Sequence, residues 1–117
     1  MGKPVIFFEY VSPKPEETMS FYSDLFDWKI DHDEEQRYGV VQTGPDAAVM
    51  GGIGAAEKPG DQRVTVYAGV DDVQEYLDKA EKLGGKTVLP PTEIPGNGTI
   101  ALFSDPAGQV TGLWKPA

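Results

Sequence analysis

The sequence holds no cysteine, only two arginines and a single histidine in 117 residues. The first absence excludes disulfides, thiolate metal sites and a cysteine nucleophile, and it suits a reducing compartment. The scarcity of arginine, with a formal net charge of −9, argues against nucleic acid as a partner, because phosphates are neutralised by clustered Lys and Arg. One imidazole cannot build a histidine-rich metal centre. Long hydrophobic runs are missing as well. The N-terminal "MGKPVIFFEY" is interrupted by Glu9 and no small-residue cleavage site follows it, so neither a signal peptide nor a membrane span is expected, and the chain is read as cytoplasmic. "NGT" at 97–99 has the pattern of a glycosylation acceptor but no secretory signal to give it meaning.

What is present is a pattern written twice. "DDVQEYLDKAEKLGG" carries Val73, Tyr76, Leu77, Ala80 and Leu83 at helical spacing, with Asp72 placed to cap, Glu75 three residues on and Gly84 to stop it. "PEETMSFYSDLFDW" puts Met19, Tyr22, Leu25 and Phe26 on one face, with Pro15 in the first turn and two glutamates at the positive end of the dipole. Eight other runs read as strands: "PVIFFEYV", "WKIDH", "RYGVVQT", "AAVMGGI", "RVTVYAGV", "KTVLPPTEI", "TIALFS" and "QVTGLW". Leu25 aligns with Leu83 at an offset of 58, and "MGGI" at 50–53 aligns with "VTGL" at 110–113 at an offset of 60. The length fits one domain, 1–117, and the expected class is α+β. Two tandem βαβββ modules, 1–54 and 63–117 joined by the polar linker 55–62, would form a curved, mostly antiparallel sheet around a cleft. The two helices cover one face and leave the other to a ligand.

Three stretches carry a family resemblance: "FFEYVSPKPEETMSFYSDLFDWKI", "VYAGVDDVQEYLDKAEKLGGK" and "FSDPAGQVTGLW". In this order they resemble the vicinal oxygen chelate superfamily of glyoxalases, bleomycin-resistance proteins and extradiol dioxygenases, over essentially the whole chain. The resemblance implies metal ligands on the first and last strands of each module, at Phe7, Gly52, Thr65 and Gly112. A divalent cation wants three or four imidazole or carboxylate donors, and these positions offer one hydroxyl, so no metal and no cofactor is expected. Strand alternation places Val5 and Glu9 with Phe7, Tyr67 with Thr65, and Val110 and Trp114 with Gly112. Phe7, Tyr67 and Trp114 then line the cleft with aromatic rings, and Gly112, like Gly51 and Gly52, leaves room for a flat ligand or a neighbouring ring.

Each residue also has a plainer reading. Glu9, the one inward acid, pairs with a cation or moves a proton, or else it accepts bonds from a nearby strand. His32 and the acids around it in "DHDEE" read as a solvated turn between the second and third strands, without the glycine and terminal glutamate of a calcium loop. Trp28 serves equally as core or as a stacking surface. "GGIGAA" lacks the last glycine and the helix of a dinucleotide fingerprint, and "DPAG" is a turn. The expected function is metal-independent binding of a small polar or cationic aromatic molecule by a homodimer, at Phe7, Glu9, Gly52, Thr65, Tyr67, Gly112 and Trp114. The alternatives are a metal-dependent lyase, isomerase or dioxygenase, and an interaction module whose hollow is filled by Trp114, Phe103 and Phe7.

Overall fold

The computed structural model describes residues 2–47 and 49–117. Its elements follow in the order β1 (Val5–Ser12), α1 (Pro15–Phe26), β2 (Lys29–Asp33), β3 (Tyr38–Gln42), β4 (Met50–Ala55), β5 (Arg63–Gly69), α2 (Val73–Lys82), β6 (Lys86–Ile94), β7 (Gly98–Ser104) and β8 (Val110–Lys115). This is the expected βαβββ order, repeated. The contacts gather into two compact units, Ile6–Thr65 and Val66–Ala117, the latter taking in the N-terminal segment through Val5. That segment is tied there by a hydrogen bond from the Gly69 amide to the Pro4 carbonyl, 2.8 Å.

In the unit Ile6–Thr65 the strands run in the order β2, β3, β4, β1, antiparallel except for the β4–β1 pair. Pro15 opens α1 with its φ already helical, and Glu16 and Glu17 face the positive end of the dipole. Lys14, at the cap position, gives no side-chain capping hydrogen bond. Ser12 supplies the missing polar partner: its Oγ accepts from the Lys14 amide at 3.0 Å and lies 2.7 Å from the Thr18 Oγ1. Asp27, left-handed at φ 57°, ends the helix.

The face beneath α1 carries the even residues of β1. Met19, Val41 and Ile53 are buried there, with Phe8, Tyr10, Tyr22, Trp28 and Ile30 packed around them. Burying an aliphatic side chain such as Ile53 contributes about 1.5–3 kcal/mol. Tyr22 stacks on Tyr10 at 4.8 Å and on Trp28 at 5.5 Å between ring centroids. Burial, reinforced by a hydrogen bond with Tyr22, pushes the Tyr10 phenol above its usual pKa. Trp28 is therefore core. Gly51 belongs to this face too: a Cβ there would run into the Phe8 ring, so its room serves the helix-side packing and not the hollow.

The second unit repeats the plan with the order β6, β7, β8, β5, of which only β8–β5 is parallel. The Asp72 carboxylate accepts from the Glu75 amide at 3.1 Å, and Gly84 at φ +102° turns the chain away after α2. Val70, Val73, Leu77, Ala101 and Leu113 form the core between α2 and the sheet, with Ala68, Tyr76 and Phe103 against it. Phe103 thus packs under the helix and does not fill the opposite face. Asp105 holds the "DPAG" turn, its Oδ1 accepting from the amides of Ala107 (2.8 Å) and Gln109 (3.0 Å), and Gly108 sits at φ +93°. Among the described residues no helix is long and apolar enough to cross a membrane.

Candidate ligand-binding faces

Each unit has a sheet face turned away from its own helix, and the strand registers say which residues share it. In the first unit Phe7 is opposite Met50, and Glu9 opposite Gly52, which in turn faces Val40 of β3. Tyr38 lies two residues before Val40, hence on the same face and diagonal to Gly52. In the second unit Tyr67 is opposite Gly112 and Gly69 opposite Trp114. The two registers are one register repeated: adding 58 to Glu9 and 60 to Gly52 gives Tyr67 and Gly112. The alternation expected for Phe7 with Glu9, and for Gly112 with Trp114, follows from these pairings.

Both glycines make room for a tyrosine. A Cβ on Gly112 would enter the ring of Tyr67, which is only 5% exposed. The gap at Gly112 is therefore taken by the neighbouring aromatic ring. A Cβ on Gly52 would meet the Tyr38 hydroxyl, and one on Gly54 would press the same ring at 2.8 Å. Tyr38 crosses this glycine floor to donate a hydrogen bond to the Glu9 Oε2, 2.7 Å away. The bond is short and charge-assisted, in a half-buried setting where such bonds are stronger than in water. Sequence reasoning did not single out Tyr38. The signal was present in "RYGVVQT", where Tyr38 shares the parity of Val40.

Thr65 is 1% exposed, and its Oγ1 accepts from the Arg63 Nε at 3.0 Å. The other guanidinium arm reaches the Asp61 carbonyl at 3.3 Å. Thr65 carries the only side-chain oxygen in the set Phe7, Gly52, Thr65 and Gly112, and the guanidinium bonded to it opposes a cation there. The residues at the superfamily's ligand positions therefore do not fit a divalent metal. Among the described residues no group of three or more His, Cys, Asp or Glu side chains is arranged to hold one.

Trp114 donates its indole N–H to the Asn97 carbonyl in the β6–β7 turn, 2.7 Å, which fixes the ring's edge. His32 lies inside β2, not in a turn, with its Nε2 4.0 Å from the Glu16 Oε2. Glu16 is itself gripped by Arg37, with Nε and Nη2 donating at 3.0 and 2.9 Å, so this trio pins α1 to the β2–β3 turn. The guanidinium holds the Glu16 carboxyl at a pKa of about 2.

Two βαβββ modules, each with one parallel strand pair and a helix on one sheet face, define the class of fold. The chain belongs to the Glyoxalase/Bleomycin resistance protein/Dioxygenase superfamily, whose model matches residues 6–111. It is 33% identical to "Putative glyoxylase CFP32" of Mycobacterium bovis over 97% of this chain and 44% of that protein, so it spans less than half of that relative's length. It is 35% identical to "Anthracycline biosynthesis protein DnrV" of Streptomyces peucetius over 44% of this chain and 18% of that one. Among solved structures, methylmalonyl-CoA epimerase of Mycobacterium tuberculosis superposes with a TM-score of 0.71, at 14% identity over 97% of this chain and 87% of that one, which shows the shared fold.

Proposed function

We propose that the protein binds a small polar or cationic aromatic molecule without a metal ion, on the face that carries Phe7, Glu9, Tyr38 and Gly52. One observation carries the reading: a half-buried carboxylate held by a tyrosine hydroxyl above a floor of glycines. A flat cation placed there meets a fixed negative charge and aromatic surface together, the two features that select cationic rings. Of the remaining expected site residues, Thr65 belongs to the same unit, while Tyr67, Gly112 and Trp114 belong to the Val66–Ala117 unit and are not part of this face. The relative named for anthracycline biosynthesis favours an aromatic ligand, and the mismatch between donors and metal favours sequestration over metal-assisted chemistry. We also propose a homodimer, tested by light scattering; the mass of a single chain would overturn it.

The test is a thermal-shift screen of aromatic amines with and without divalent cations. A ligand at a hundred times its Kd stabilises by about 2.7 kcal/mol. Glu9→Gln should weaken cationic ligands about tenfold or more and leave neutral analogues unchanged. Retention of one equivalent of Zn, Ni, Mn or Fe after desalting would overturn metal independence. The same Glu9–Tyr38 pair also suits proton transfer, which supports an enzymatic second reading. On that reading Glu9→Gln abolishes turnover with binding kept.

A further inference from the structure

A cavity of about 330 Å³ lies on the helix side of the Val66–Ala117 unit. Its walls include Tyr76 and Leu83 from α2 and its end, Phe103 from β7 and Leu113 from β8, and its rim bears Lys3 and Lys79. Leu113 and Phe103 belong to the face under α2, so the sheet itself separates this cavity from Tyr67, Gly112 and Trp114. The volume falls at the lower end of small-molecule sites.

Its charge is the reverse of the molecule's. In a chain of net charge −9, two ammonium groups lie near one ring of the wall, with Lys3 Nζ 6.0 Å and Lys79 Nζ 5.9 Å from the Tyr76 centroid. Among the described residues neither lysine has a carboxylate within ion-pair distance. The acid at the rim, Asp105, spends one carboxylate oxygen on its own turn. Leu83, 72% exposed, leaves an apolar wall open to solvent beside the two cations.

We infer that this cavity binds a small monocarboxylic acid, its apolar body against Tyr76, Leu83, Phe103 and Leu113 and its carboxylate at the rim that carries Lys3 and Lys79. The inference is independent of the ligand face around Glu9, which attracts the opposite charge.

The experiment is an amide NMR titration with 3-phenylpropionate at fixed pH and ionic strength, beside 3-phenylpropanol as its uncharged counterpart. The acid should move the resonances of Tyr76, Leu83 and Phe103 and leave those of Glu9 and Gly52 in place. The alcohol should bind at least about fivefold more weakly, as expected for two partly exposed charge pairs. The double variant Lys3→Gln with Lys79→Gln, altering two exposed side chains, should show the same loss toward the acid and none toward the alcohol. No shifts, equal binding of acid and alcohol, or shifts centred on Glu9 overturn the proposal. The acid–alcohol comparison is made on the unaltered protein and does not depend on the variant.

Discussion

At the residue scale the two inner glycines are defined by the rings above them. Gly112→Ala drives a methyl group into the Tyr67 ring, and in a packed setting such an intrusion costs about 1–3 kcal/mol. Denaturant unfolding should show that loss. Combined with Tyr67→Ala, the pair should cost less than the sum of the single changes, because the clash vanishes with the ring. Gly52→Ala acts differently: it displaces the Tyr38 hydroxyl from Glu9, so its signature is lost ligand binding beyond any loss of stability. The sequence marked Gly112 through the family resemblance, Gly52 as its counterpart in the repeat and Glu9 through its parity with Phe7, all three by rules that need only spacing along the chain. It did not mark Tyr38 as the partner of Glu9, since that pairing spans 29 positions and depends on the diagonal offset between β3 and β4. Trp28 was open for a similar reason: its place in the core is decided by Tyr22 and Phe8, not by its neighbours in the chain.

At the scale of elements, helices and strands were legible where punctuation and period agreed. Asp72, Glu75 and Gly84 bracket α2 where they were expected, and Asp72→Ala should cost about 1 kcal/mol by thermal or denaturant unfolding. Helix α1 has a less visible start, because its polar support comes from Ser12, outside the helix and across the turn. Glu34 and Glu35 of the "DHDEE" run do lie in the expected turn, but Asp31, His32 and Asp33 belong to β2, which sits at the end of its sheet order, where acidic residues can remain solvated while the backbone pairs with β3 on one side. The Glu16–Arg37 clasp between α1 and that hairpin adds a pH signature. Its carboxyl pKa falls from 4.5 to about 2 on folding, so the clasp stabilises fully above pH 4.5 and its contribution is lost as pH falls towards 2. Melting temperatures of the parent and Glu16→Gln should differ at pH 6 and converge near pH 2. The difference will be small, since the pair is exposed.

At the scale of the whole molecule, the repeat was the most legible feature, because two copies of one module impose the same spacing on strands, helix and turn. The offsets of 58 and 60 recover the register pairs Glu9–Gly52 and Tyr67–Gly112 without reference to side-chain identity. Identity is where the copies diverge: one pair carries a carboxylate and borrows its tyrosine from a third strand, while the other carries the tyrosine itself. The net charge of −9 belongs to the molecule rather than to either copy, and charge of this size is ordinary for soluble domains. A field of that sign also gathers cations, and the effect is separable from the contact with Glu9 because screening acts mainly on approach. Stopped-flow binding of a cationic aromatic ligand should therefore slow several-fold as ionic strength rises from about 0.05 to 0.5 M, with its dissociation rate little changed. Glu9→Gln should do the reverse, speeding dissociation and leaving most of the salt dependence of association intact. A neutral analogue should show neither response; if its association slows with salt to the same degree, long-range attraction is not what brings the ligand in.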